Sequence, residues 1–184
     1  MDHEAPTQPP GTVRPATVAD AQAIGEIRVL SWQKAYAGML PEDFLRRLSV
    51  EAAAQMWTDV LGGPDRSGTV LVVESAGCER HLAGFAAFGP RRDYAGSEAG
   101  ELYALYLHPR HWGRGLGAQL HGAVIDALVE DGYRTAVLWV LAANERAKAF
   151  YVRQGWVPDG ATKTDPVDGG AVTLEEMRFR RTLR

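Results

Sequence analysis

Residues 101–141 read ELYALYLHPRHWGRGLGAQLHGAVIDALVEDGYRTAVLWVL, and the change of period along this stretch decides the fold. From Leu102 to Leu107 the chain is apolar on both faces, the pattern of a strand buried on both sides. Leu116, Leu120, Val124, Ala127 and Leu128 then step by three and four residues, which predicts a helix ending near Asp131. Gly132 stands where a left-handed residue closes such a helix. Thr135–Leu141 (TAVLWVL) is again apolar on both faces. Strand, long helix and strand form a βαβ unit, so the two strands should be parallel with a right-handed crossover.

Downstream, Asn144 is placed to cap a helix over Glu145–Gln154 that Gly155 closes. Trp156 and Val157 open a strand, a polar loop with Gly and Pro follows, and 171–181 reads as an amphipathic strand. Upstream, Thr69–Ser75 and His81–Gly89 are two β-rich runs around a short turn, an antiparallel hairpin. Before them, Thr12–Arg14 is extended ahead of Pro15. A helix is expected over Val18–Ala35, opened by Thr17 and Asp20 at capping-box spacing. Pro41 opens a second helix carrying Phe44, Leu45 and Leu48, and a third carries Ala53, Met56, Trp57, Val60 and Leu61 up to Gly62-Gly63-Pro64. The first eleven residues, MDHEAPTQPPG, have almost nothing to bury and read as a disordered leader. Residues 12–184 form one mixed α/β domain, with a sheet of six to seven strands and about four helices.

The whole sequence excludes several classes. In 184 residues there are 20 Lys and Arg against 23 Asp and Glu, a formal charge of -3. No basic surplus exists to displace counterions from nucleic acid or to hold an anionic membrane. No stretch reaches the ~20 apolar residues of a transmembrane helix, and the N-terminus lacks the layout of a secretory signal. A lone Cys78 closes no intrachain disulfide and suits a reducing compartment, so a cytoplasmic location is expected. His108 and His111 lack a third ligand at a familiar spacing, so no metal is expected.

Between the first strand and its helix lies His111-Trp112-Gly113-Arg114-Gly115-Leu116-Gly117-Ala118. Glycines here let backbone N–H groups approach a ligand, and the helix N-terminus adds unsatisfied donors and a positive dipole end. Phosphate is the common guest of such a loop, and Arg114 adds a charge. Gly113-x-Gly115-x-x-Ala118 formally fits a dinucleotide fingerprint. That fingerprint needs an acid at the end of the next strand, and none precedes Glu145. A tight turn that uses glycine for packing alone is the second reading, and a pyrophosphate site of another kind is the third.

The neighbours favour the third. Strand ELYALYLHP, loop WGRGLG, helix, strand AVLWV and Asn144-x-x-Ala147-x-x-Phe150-Tyr151-x-x-x-Gly155-Trp156 follow in an order that resembles the GNAT superfamily of acetyl-CoA-dependent N-acetyltransferases. The resemblance runs from Val13-Arg14-Pro15-Ala16 to Glu176-Met177-Arg178, and Ser31-Trp32-x-x-Ala35-Tyr36-x-Gly38-x-Leu40-Pro41 is similar to an element of bacterial members. In the Q/R-x-x-G-x-G/A loop motif, Gly115 and Gly117 match. Trp112 stands where Gln or Arg is usual, which changes a side chain and not a backbone donor.

The resemblance implies acetyl-CoA as co-substrate and a small-molecule or peptide amine as acceptor. It further implies pyrophosphate binding by Trp112, Gly113, Arg114, Gly115, Leu116, Gly117 and Ala118. The two central strands would splay so that pantetheine meets the backbone of Leu105, Tyr106 and Leu107, with Asn144, Ala147 and Phe150 also touching the coenzyme. Tyr151 falls where relatives place the tyrosine that serves the coenzyme sulfur; core packing beside Phe150 is its other reading. Glu101 is the matching candidate for the base, or else an ordinary strand-edge acid, with Asp93 and Glu98 as substitutes. Trp32, Tyr36 and Tyr103 are candidates to line the acceptor pocket, and a homodimer follows from family habit. A CoA-binding module without turnover, and an acyltransferase using another donor or acceptor, are the rival functions.

Overall fold

The chain forms one seven-stranded sheet in the order β1-β2-β3-β4-β5-β7-β6. The strands are β1 (Thr12–Pro15), β2 (Thr69–Glu74), β3 (Leu82–Pro90), β4 (Ala99–Leu107), β5 (Thr135–Leu141), β6 (Val157–Val167) and β7 (Val172–Thr182). Five helices accompany them: α1 (Ala21–Ala35), α2 (Glu42–Arg47), α3 (Val50–Gly62), α4 (Leu116–Glu130) and α5 (Glu145–Arg153). This is a computed structural model, and it describes residues 11–64, 68–76, 81–93 and 98–184. Cys78 and the leader residues 1–10 lie outside the described residues.

The apolar stripe of α4 explains its seat. Leu120, Val124 and Leu128 are fully buried against Val73, Phe88, Leu102, Leu138 and Phe179. On the opposite face Ile24 and Ile27 of α1, with Trp57 and Leu61 of α3, cover Val72 and Phe85. The two helices meet where Gly25 leaves no room for a side chain, since a Cβ there would lie 2.6 Å from the Ala54 amide nitrogen. A third cluster joins α1 and α2 to the ends of β5 and β7 through Trp32, Phe44, Leu45, Leu141 and Leu174.

The central pair β4–β5 is parallel, as the βαβ pattern requires, but its ladder is short. Pairing runs from Ala99↔Thr135 to Leu102↔Leu138 and stops there. β4 continues on β3 as far as Leu107, and β5 continues on β7 as far as Leu141↔Glu176. The break coincides with a β-bulge. Ala87 faces Ala104 and Phe88 faces Leu102, which leaves Tyr103 as the extra residue. Tyr103 and Ala104 therefore both pack on the α1/α3 side, whereas Leu102, Leu105 and Leu107 pack on the α4 side. A bulge increases local twist and re-aims side chains, which turns β4 away from β5 at this point.

Two elements differ from expectation. The polar segment after Val157, expected as a loop, is the long strand β6, with an irregularity between Pro158 and Thr162. It is an edge strand with mostly exposed side chains, so hydrophobic patterning marks its start at Val157 and not its continuation. Residues 18–20 form a 3-10 turn ahead of α1, and the Thr17 N–H donates to the Asp20 carboxylate at 2.7 Å. The five helices among the described residues are those the pattern names.

Candidate active site

After β4 the chain passes through a 3-10 turn (Pro109–His111) and enters α4 over the glycine loop. Gly113 and Gly115 hold φ of +76° and +81°, while a Cβ on either would meet nothing within 4 Å. Backbone conformation and not space demands glycine here, since other residues reach this region only at a cost of roughly 1–2 kcal/mol. The first bond into the helix is Gln119 N–H to the Gly115 carbonyl. The N–H groups of Leu116, Gly117 and Ala118 are thus left without helical acceptors at the positive end of the helix dipole. The Leu116 side chain sits in the core, so this residue offers the loop only its backbone, and Arg114 is exposed beside it. Gly117 gives close packing: a Cβ would lie 3.3 Å from Leu107 Cδ1.

Trp112 ties the loop down. Its indole N–H donates to the Leu107 carbonyl at 2.9 Å, and the Arg146 guanidinium lies 3.9 Å from the ring centroid. The Ser31 hydroxyl donates to the same carbonyl at 2.6 Å. Both lone pairs of that oxygen are therefore in use, and only the Leu107 N–H faces the gap. His108 N–H donates to the Ala83 carbonyl. By the alternation of an antiparallel ladder, Tyr106 exchanges its backbone bonds with Phe85, and Leu105 turns its peptide groups to the gap. Of the three residues expected to offer backbone groups there, Leu105 offers both, Leu107 one, and Tyr106 its side chain alone.

A cleft of about 460 Å³ runs along this opening. Trp112, Gly113, Gly115, Gly117 and Ala118 line one end with Asn144, Ala147 and Phe150 of α5; Trp32, Tyr36 and Tyr103 line the cleft too. Asn144 caps α5, its Oδ1 accepting the Ala147 N–H at 3.0 Å. Tyr151 packs edge-on to Phe150 and Trp156, at 5.3 and 6.2 Å between centroids. Beneath them the buried His121 accepts the Trp156 indole N–H at 2.8 Å. Burial and the neighbouring Tyr106 push the Tyr151 phenol well above its ordinary pKa, so it keeps its proton as a donor. Burial likewise raises Tyr36, with Tyr106 within hydrogen-bonding reach and Tyr151 and Glu176 close enough to act on it. Tyr103 is pushed up to about 12 by burial and the charge of Glu101.

The acids are arranged differently from the sequence expectation. Glu101 is 2% exposed and outside the cleft lining. Arg92 holds one carboxylate oxygen through Nη2 and Nε, at 2.6 and 3.1 Å, and the other through its backbone N–H at 2.9 Å. The same guanidinium lies over the Tyr103 ring at 4.1 Å. Asp93 pairs with Arg91 and Arg178. Glu98 lines a separate polar cavity at the start of β4 and β5. The carboxylate that the structure brings into the cleft is Glu176 on β7, opposite Leu141 and 3.1 Å from Lys163. Its strand was legible, but only the β5–β7 pairing carries it there.

A dinucleotide site finds no acid at the end of β5, and the mixed sheet is not the doubly wound parallel sheet it requires. His108 Nδ1 accepts the Arg110 amide and His111 Nε2 accepts from Arg110 Nε. No group of three metal-binding side chains occurs among the described residues, and no described helix is long and apolar enough to cross a membrane.

Fold and cleft together define an α/β protein with an extended groove between two parted strands, ending at a glycine-rich helix N-terminus. Comparison with known proteins agrees. Residues 28–156 match the model of the acetyltransferase (GNAT) family, so the chain belongs to that family. YuaI of Bacillus subtilis, an uncharacterised N-acetyltransferase, is 30% identical over 171 residues, 90% of each chain. An L-methionine sulfoximine/L-methionine sulfone acetyltransferase of Salmonella typhimurium is 32% identical over 135 residues, 72% of each. Among solved structures, a GCN5-related N-acetyltransferase of Rhodopseudomonas palustris superposes with a TM-score of 0.74 at 21% identity, over 96% of this chain and 98% of that one. The PaiA N-acetyltransferase of Thermoplasma acidophilum, crystallised with coenzyme A, gives 0.66 at 19% identity, over 94% and 98%.

Proposed function

We propose that the protein transfers the acetyl group of acetyl-CoA to a primary amine by direct attack. The carrying observation is the conjunction in one cleft of a parted β4–β5 edge, a glycine-rich helix N-terminus and a half-buried Tyr151 that keeps its proton. The free N–H groups of Leu116, Gly117 and Ala118 suit a pyrophosphate. The Leu105 peptide groups and the Leu107 N–H suit the amides of a pantetheine arm lying as an added strand. The coenzyme A bound to the PaiA relative supports the same ligand.

An amine attacks only as the free base, and with a reference pKa near ~10.4 for a lysine-like amine about one in a thousand is ready at neutral pH. Glu176 is the carboxylate placed to receive the amine's proton. As the nitrogen–carbon bond forms and the carbon–sulfur bond breaks, the Tyr151 hydroxyl donates to the departing sulfur. The proton taken by Glu176 restores the phenol through the Tyr36–Tyr106 cluster, so the sum is amine plus thioester to amide plus thiol. Glu101 anchors the bulged start of β4 through Arg92, a positioning role that replaces the base role expected for it.

Thermal denaturation with and without acetyl-CoA tests this reading. At a hundredfold excess over Kd the ligand should add about 2.7 kcal/mol of stability. Gly115→Ala should remove most of the gain, because the helix N-terminus no longer presents its donors in place. Stabilisation by NADH and not by acetyl-CoA would overturn the assignment.

A further inference from the structure

The acceptor end of the cleft differs in chemistry from the coenzyme end. Its walls are Trp32, Tyr36, Tyr106, Trp139, Leu141 and Leu174, all apolar or aromatic in body. Into them projects one carboxylate, Glu176. Lys163 sits 3.1 Å from its Oε2. A carboxylate has about four acceptor sites, so room for a further donor remains.

The cations near these walls already have carboxylate or ring partners. The two arginines that line the cleft, Arg146 and Arg153, both belong to α5 at the coenzyme end, and Arg146 is stacked on Trp112. Lys163 is already shared between Glu176 and Asp165 and lies 4.8 Å from the Trp139 ring centroid. Arg178 is tied to Asp159 and Asp93, and Arg28 lies over Trp32 outside the cleft lining. A free amino acid would bring its α-carboxylate beside Glu176, where Lys163 and Arg178 are already engaged by carboxylates. Desolvating a second anion beside an existing one is unfavourable where no free cation pairs with it. An ammonium on an aromatic body meets the reverse situation: a carboxylate for its N–H groups and aromatic walls for its body.

We infer that the acceptor is an arylalkyl amine, a primary amine carried on an aromatic body with no carboxylate beside it. The inference rests on the acetyl-transfer reading above and deepens it. It departs from the Salmonella typhimurium relative, whose name carries amino-acid derivatives.

The test is thiol release from acetyl-CoA by the full chain, with tryptamine and phenethylamine against L-tryptophan, L-phenylalanine and L-methionine sulfoximine. The expected result is kcat/KM at least tenfold higher for each amine than for its amino-acid counterpart. Glu176→Gln should cut kcat/KM for tryptamine at least tenfold, through KM as well as kcat, while acetyl-CoA still raises the melting temperature. Glu176→Asp should recover part of the loss. Preference for the amino acids overturns the inference, as does turnover of neither class by protein that acetyl-CoA still stabilises. Absence of that stabilisation instead overturns the acetyl-transfer reading itself, so the two failures are distinct.

Discussion

His121 should make the protein acid-sensitive in a narrow pH window. It lies on α4, 1% exposed, and accepts the Trp156 indole N–H at 2.8 Å. Burial pushes its pKa down to about 4, against about 6.5 for the unfolded chain. Below pH 6.5 the unfolded chain takes up a proton that the native protein refuses. The contribution is thus fully present above pH 6.5 and drains away as pH falls toward 4. A gap of about 2.5 units at 1.36 kcal/mol each gives about 3 kcal/mol in all, of which about 2 kcal/mol falls between pH 7 and pH 5. Protonation would also turn both ring nitrogens into donors, so the Trp156 N–H would lose its acceptor. Asp20, held near 2 by Arg14, acts only at lower pH and leaves this window clear. His108 and His111 are lowered too, so the effect is isolated with His121→Gln, which keeps a neutral acceptor and cannot titrate. Urea denaturation followed by tryptophan fluorescence at pH 7 and pH 5 should show the parent losing about 2 kcal/mol more than the variant. Equal losses would refute the reasoning.

Two further substitutions address the site. Tyr151→Phe should lower kcat by about 10²-fold or more, as removal of an acid that serves the transition state does, with coenzyme affinity within about twofold; unchanged turnover would remove Tyr151 from the chemistry. Glu101→Gln should lower stability by about 1–2 kcal/mol, a charge-assisted cluster discounted for the largely exposed Arg92, and leave the pH–rate profile unaltered. A hundredfold fall in kcat without loss of melting temperature would return Glu101 to the reaction.

Legibility followed burial and local backbone chemistry. Both faces of Leu102–Leu107 and Thr135–Leu141 are apolar because one packs into the α4 core and the other joins the α1 side or lines the cleft, and the stripe of α4 matches the core it fills. Gly113, Gly115 and Asn144 could be placed because loop conformation and helix capping are local in the chain. The continuation of β6 beyond Val157 was illegible because an exposed edge strand needs no apolar face. Glu101 invited a catalytic reading because sequence shows a carboxylate at a strand start but not Arg92 folded onto it. Glu176 drew no such reading, because its place in the cleft depends on β7 lying against β5.

The amino-acid sequence alone determined the βαβ unit, the glycine-rich helix entrance and hence the kind of ligand charge the protein receives. Those features depend on period, φ preference and unsatisfied helix donors, all properties of neighbours in the chain. Tertiary structure decided where β4 leaves β5, which peptide groups face the gap, and which carboxylate meets the acceptor. Each of these depends on the Tyr103 bulge and on pairings between strands remote in sequence, and no local pattern records what will stand across from a residue after folding.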